Sequence, residues 1–361
     1  MWITCWLVVV CVMGAGPAAA QSAPTLTRIA FGSCAHQERP QPIWEAVLQY
    51  RPELFLFLGD NVYGDVRDGK PVDHEAAILD SLRLAYSRAA ALPGLTRLRQ
   101  TVPHLATWDD HDYGRNDGGD EFVHKRASQQ LFAEFWQLPA ADPRRQRDGV
   151  YHAQVFGPPG RRVQVILLDT RFFRSALKPT EQRGVPGKER YVPDPEPTKT
   201  MLGAPQWAWL AEQLTVPAEL RLLVSSVQVV ADGHGWERWG NLPLQRQQLY
   251  DLIGTTGAER VLVLSGNRHL GALYRETQGP PYPLLEITAS GITQAFPGAV
   301  ETSPQQVGAL YGAVNFGTIS NRLSLPSEAS GSGACTWFRQ RGALRAGHAQ
   351  GPVPLARGSV Q

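Results

Sequence analysis

Apolar runs that stop abruptly at small and polar residues set the rhythm of this chain. Residues 54–58 read Leu-Phe-Leu-Phe-Leu and pass straight into Gly59-Asp60-Asn61. Residues 26–31 end in Gly32-Ser33-Cys34, 104–108 in Asp109-Asp110-His111-Asp112, and 259–265 in Gly266-Asn267-Arg268-His269. Residues 162–169, closing on Asp169-Thr170-Arg171, and residues 220–230 have the same character, with 284–288 a further short segment. Short blocks in which apolar residues run together instead of alternating predict strands covered on both faces.

Segments of helical character lie between them, at 42–49, 73–92, 125–136, 205–214 and 244–253. Strands alternating with helices predict a layered α/β sandwich, in which ligands bind outside the carboxyl ends of the strands. Polar groups gather at those ends here. Residues 178–205 are rich in Pro, Gly and charge and read as an excursion over the surface, not a domain boundary. No internal repeat or low-complexity tract appears. Residues 21–345 are expected to form one domain and 346–361 a frayed tail.

A net charge of +2 with 19% charged residues describes an ordinary solvated surface. Without a basic block, no nucleic acid is expected as a dedicated partner. The first twenty residues hold no Asp, Glu, Lys or Arg, and residues 3–13 are apolar but for Thr4. Ala18 and Ala20 then supply the small-x-small pattern of a signal-peptide cleavage site. Residues 1–20 are therefore expected to be removed on export to a periplasmic or extracellular location. The run is short for a membrane anchor, and no later stretch would span a bilayer. Cys34 and Cys335 remain after cleavage. A disulfide between them is one reading in an oxidising compartment, and a Cys34 thiolate on a metal is the favoured one.

Four strand ends deliver candidate donors: Cys34, the pair Asp60 and Tyr63, the run Asp109-Asp110-His111, and the pair Asn267 and His269. Carboxylates brought together repel and desolvate badly unless a cation neutralises them. A metal cluster is the simplest physical account of four such ends in one chain.

Phe31-Gly32-Ser33-Cys34, Gly59-Asp60-Asn61-Val62-Tyr63, Trp108-Asp109-Asp110-His111-Asp112 and Ser265-Gly266-Asn267-Arg268-His269 resemble the PhoD-like alkaline phosphatase family. That family belongs to the calcineurin-like metallophosphoesterase superfamily, and the resemblance covers residues 27–292. It implies a four-layer α/β/β/α fold with two mixed central sheets. It also implies ferric iron (Fe3+) beside calcium (Ca2+), with other divalent metals possible, and hydrolysis of phosphate monoesters or diesters by metal-activated hydroxide.

Carried onto this chain, the resemblance implies Cys34, Asp60, Tyr63 and His269 on the iron, with position 267 completing the set. Asp60 would bridge to a second metal held by Asp110, and Gln228 matches a later ligand strand. His111 is expected beside the leaving-group oxygen, and Arg268 is a candidate phosphate fork. Asn61 and Asn116 are candidate phosphate or metal contacts. His234 and Trp236 are candidate rim residues, and Trp239 is expected to anchor its loop. Tyrosinate and thiolate suit a trivalent iron, while oxygen donors suit calcium.

One position departs from the family pattern: Asn267 stands where an Asp is usual, and an amide is a neutral, weaker ligand. A catalytically silent phosphate-binding homologue is the alternative that this residue raises. Serine chemistry is disfavoured, since no Gly-x-Ser-x-Gly elbow occurs.

Overall fold

The computed structural model describes residues 25–72 and 74–320. One sheet has the order β12-β1-β2-β5, built from β1 (Arg28–Gly32), β2 (Leu54–Leu58), β5 (His104–Thr107) and β12 (Gly317–Ser320). Its first three strands run parallel, and β12 closes the edge antiparallel to β1. Strands β3 (Val66–Arg67) and β4 (Lys70–Pro71) form a separate small hairpin.

The second sheet holds β6 (His152–Phe156), β7 (Val163–Leu167), β8 (Leu220–Ser225), β9 (Val261–Ser265), β10 (Gly271–Glu276) and β11 (Leu284–Ala289). Their order is β10-β11-β9-β8-β7-β6, parallel in the middle with an antiparallel strand at each edge.

Alternation within the apolar strands builds the layers. Ile29, Phe31, Leu54, Leu56 and Leu58 meet Val163, Val165, Leu167, Leu222, Val224, Leu262 and Leu264 between the two sheets. The intervening Ala30, Phe55 and Phe57 face α1 (Ile43–Tyr50), α2 (Glu75–Ala90), α3 (Pro93–Thr101) and α5 (Lys125–Phe135). On the far side, Ile166, Leu223 and Val263 face α6 (Gly203–Thr215) and α7 (Pro243–Thr255). Each strand thus buries both of its faces, which explains why apolar residues run together along it. Every fully buried Leu, Ile or Phe stabilises this stack by roughly 1.5–3 kcal/mol. The expected four-layer α/β/β/α arrangement with two mixed sheets is what the chain adopts.

The predicted strand 220–230 is shorter than expected and ends at Ser225. Beyond it the Glu286 carboxylate of β11 accepts the backbone N–H groups of Val229, Val230 and Ala231 at 2.9, 2.7 and 3.0 Å. Those donors are satisfied by a side chain, so the sheet ladder stops. Strands β6, β10 and β12 and helix α3 were not foreseen. The three strands lie at sheet edges and lack a continuous apolar block, and α3 offers only Leu95 and Leu98 to the core. The helix expected from residue 73 runs Glu75–Ala90. The expected cleavage site, Cys335 and the tail lie outside the described residues. Among the described residues, no helix is long and apolar enough to cross a membrane.

Parallel strands send their carboxyl ends the same way, and backbone bonds knit the loops that follow. Ala35 N–H donates to Asp60 O at 2.8 Å, Ser33 N–H to Ala289 O at 3.1 Å, and Gly266 N–H to Ser226 O at 2.9 Å. Ser290 N–H also donates to Leu270 O at 3.0 Å, so the loops after β1, β2, β8, β9 and β11 form one floor.

Candidate active site

Four of the expected donors sit in left-handed backbone: Cys34 at φ 66°, Asp60 at 50°, Asn267 at 66° and His269 at 56°. Residues with a Cβ avoid this region, and such strain clusters where function requires it. Each bend turns the chain sharply at its strand end. Gly59, at φ 108°, brings the β2 and β5 loops together, since a Cβ there would stand 2.6 Å from the Asp109 Cβ. Asp112, in the short helix α4 (Asp110–Tyr113), locks that contact. Its carboxylate accepts the N–H groups of Asp109, Asp60 and Asn61 at 2.5, 3.2 and 3.3 Å, and the Asn61 amide at 2.5 Å.

Cys34 Sγ lies 3.3 Å from Asp60 Oδ2 and 3.2 Å from Ser290 Oγ. The Tyr63 hydroxyl is 3.5 Å from Asp60 Oδ2 and 3.4 Å from His269 Nε2. Cys34, Asp60 and His269 each offer a donor atom within 4.8 Å of the others, as do Asp60, Asp110 and His111, and likewise Asp110, Asp117 and Glu237. Asp60 belongs to the first two groups and Asp110 to the last two. Three potential metal-binding sets are thereby joined through two shared carboxylates.

The electrostatics favour cations there. Burial, reinforced by the Asp110 charge, pushes the Asp60 carboxyl well above its ordinary range. Burial and then Asp60 push the Cys34 thiol up, and burial raises the Tyr63 phenol. Asp117 rises to about 7 through burial, then Glu237 and Asp110. Burial drops His269 to about 3, which leaves a neutral imidazole, and its Nδ1 is buried without a hydrogen-bond partner. Burial is the first cause of every one of these shifts, and at Cys34, Asp60, Tyr63 and Asp117 neighbouring acidic groups add to it. Metal ions fit this donor set.

His111 stacks on Tyr63 with ring centroids 4.1 Å apart and places Nδ1 2.6 Å from Asp65 Oδ1. Burial opposes its charge, but Asp110, Asp65 and Asp60 outweigh burial and raise its pKa well above the usual value.

The other candidates are held by polar contacts of their own or line the cleft. Gln228 is fully buried and uses both ends of its amide, donating to Thr288 Oγ1 and pairing with His234 Nε2, each at 2.9 Å. His234 is not a surface residue, as expected by default, but is buried in that contact. Asn61 is buried and bonded to Thr107 O and Asp112, whereas Asn116 is exposed at the cleft wall. Arg268 is an ion-pair partner of Glu301, which binds both its Nε and Nη2. Trp239 anchors its loop, fully buried with Nε1 donating to Ser225 Oγ at 3.0 Å, while Trp236 lines the cleft. Cys34 is a free, buried thiol.

Sequence reasoning missed a buried charge network behind the donors. Arg171 is fully buried and donates from Nε to Asp109 at 2.6 Å, and from Nη1 and Nη2 to Glu237 at 2.7 and 2.8 Å. Glu237 also meets Arg174 at 3.1 Å and the Asn267 amide at 3.4 Å. The available signal was position: Asp169-Thr170-Arg171 ends a strand as the recognised donors do. Glu237 lies in a loop and follows no apolar run directly, so its position carries no such signal.

This architecture, with donors at the carboxyl ends of two facing sheets, is a metallophosphoesterase-like α/β fold. The sequence model of the PhoD-like phosphatases matches residues 29–320, and the chain belongs to that family. It is 23% identical over 285 residues to alkaline phosphatase D of Bacillus subtilis (strain 168), covering 70% of this chain and 47% of that protein. The chain thus spans about half the length of that curated relative. A solved structure of PhoD superposes with a TM-score of 0.65 at 18% identity, covering 84% of this chain and 65% of the other, and supports the shared fold.

Proposed function

We propose that this chain is an exported metal-dependent phosphoesterase acting on phosphate monoesters, diesters or both. The observation that carries the reading is the linked donor series, in which Asp60 and Asp110 each belong to two potential ion sites. Asp110, His111, Asn267 and His269 of that centre line a cleft of about 540 Å³.

Cys34, Asp60, Tyr63 and His269, with the Asn267 carbonyl, would hold ferric iron, for which thiolate and phenolate are matched donors. Asp110, Asp117 and Glu237 offer oxygen alone and would hold calcium. Bound there, the ions would supply Lewis acidity toward the phosphate and lower the pKa of a water. The protein's own part is positional. Asp65 engages His111 Nδ1, so Nε2 is the nitrogen that delivers a proton to the departing alkoxide. Arg268, steadied by Glu301, adds positive charge to the cleft wall beside the phosphate. Export rests on the absence of charge in residues 1–20, the apolar run 3–13 broken only by Thr4, and the Ala18-x-Ala20 pattern, and an N-terminus at Gln21 in secreted protein would support it.

The test is elemental analysis of purified protein alongside turnover of a chromogenic phosphate monoester and diester. Metal near stoichiometric levels with turnover of either ester is expected. Tight phosphate binding with no turnover of either would favour the silent homologue instead.

A further inference from the structure

Large hydrophobic side chains are exposed at only eight described positions, and three of them, Trp236, Phe296 and Val300, line the same cleft. Scattered exposed apolar residues are ordinary, but their concentration around a polar site marks a contact surface. Phe296 is 57% exposed, yet its placement is fixed. Its N–H donates to His269 O at 3.0 Å, and its ring lies 4.9 Å from the His269 ring. Trp236 is 36% exposed, with the guanidinium carbons of Arg190 and Arg268 at 5.3 and 5.6 Å from its ring. Both arginines are held in place, Arg190 by Asp117 and Arg268 by Glu301.

We infer that this rim is an aromatic subsite, and that the preferred phosphoesters carry a planar, π-bearing organic group. The inference rests on the phosphoester reading above and names the substrate class of that site. Size is the first argument. A cleft of about 540 Å³ falls among those that enclose organic ligands, far more than a phosphate group needs. Chemistry is the second. Arg190, Arg268, Asp117, Glu237 and Glu301 interrupt the apolar wall. An alkyl chain laid across them would desolvate charge without return, whereas a ring stacks on Trp236 or Phe296 and presents its negative face to a guanidinium. Position is the third, since Phe296 touches the ring of His269, one of the donors around the phosphate.

The test uses non-hydrolysable phosphonates titrated calorimetrically into the metal-loaded full chain, with turnover of p-nitrophenyl phosphate and of bis(p-nitrophenyl) phosphate followed in parallel. Phenylphosphonate should bind about tenfold tighter than methylphosphonate and tighter than octylphosphonate. Trp236→Ala and Phe296→Ala should each reduce the phenyl-over-methyl preference to about threefold or less. Leu84→Ala, an exposed change outside the cleft, should keep it. Equal phenyl and methyl binding, octyl binding tighter than phenyl, an unaltered preference in both rim variants, or no phosphonate binding would each overturn the subsite. Phenyl preference without turnover would instead defeat the phosphoesterase reading and leave the subsite standing.

Discussion

The side-chain amide of Asn267 lies 3.4 Å from the carboxylate of Glu237. A neutral amide can rest there in the absence of a cation, whereas a second carboxylate would face the Glu237 anion, with Asp110 and Asp117 close by and Arg171 and Arg174 already paired to Glu237. Asn267→Asp is therefore expected to destabilise the metal-free protein by about 1–3 kcal/mol. It should also raise iron retention. Thermal melts with and without metal, paired with iron-to-protein ratios, check both. An unchanged ratio would remove the role assigned to position 267.

Asp60 should show the opposite balance. Its carboxylate is fully buried, and Asp110 pushes its pKa up further, so it is a liability while no cation is bound. Asp60→Asn keeps an acceptor for the His111 N–H and removes the charge. The metal-free variant should be about 1–2 kcal/mol more stable than wild type and should lose both metal binding and turnover. Retained activity would defeat the bridging role. Lower metal-free stability would defeat the electrostatic account.

Most of the fold was legible because β1, β2, β7, β8 and β9 bury both faces and read as mainly apolar blocks, interrupted only by single polar residues such as Arg28, Gln164 and Arg221. Edge strands β6, β10 and β12 leave a weaker pattern, and the end of β8 depends on Glu286, a tertiary contact with no local signature. Cys34, Asp60, Asp110 and His269 were visible as polar residues directly after such runs, and the fold brings them together. Arg171 followed the same rule but gave no hint of its partners. Its ties to Asp109 and Glu237 span 62 and 66 residues of sequence. The contacts of Gln228 with His234 and Thr288 are tertiary and have no local signature.

Arg171 is expected to be a structural keystone of the site. Arg171→Met would strand the buried carboxylates of Asp109 and Glu237, and breaking a buried pair in this way costs about 3–5 kcal/mol. Adding Glu237→Gln should recover part of that loss, because one stranded charge is gone. Urea denaturation of the wild type, both single variants and the double variant forms the cycle. Strictly additive losses would mean that the two side chains are not coupled as their bidentate contact requires.

His152 on β6 supplies a pH dependence remote from the donor cluster. Burial, then the Arg144 charge, lowers its pKa to about 4, with Asp142 opposing. Between pH 4 and 6.5 the unfolded chain binds a proton at this imidazole and the native protein does not, so stability rises with pH. The contribution is complete above pH 6.5 and is lost as the pH falls toward 4. The slope is about 1.4 kcal/mol per pH unit and the total about 3 kcal/mol. Burial also depresses His104 and His234, so the wild-type curve alone does not isolate the effect. The difference between wild type and His152→Gln does. Measured by urea denaturation from pH 7 to pH 4, that difference should shift by about 3 kcal/mol in favour of the variant. A constant difference across the window would show that His152 is protonated equally in both states.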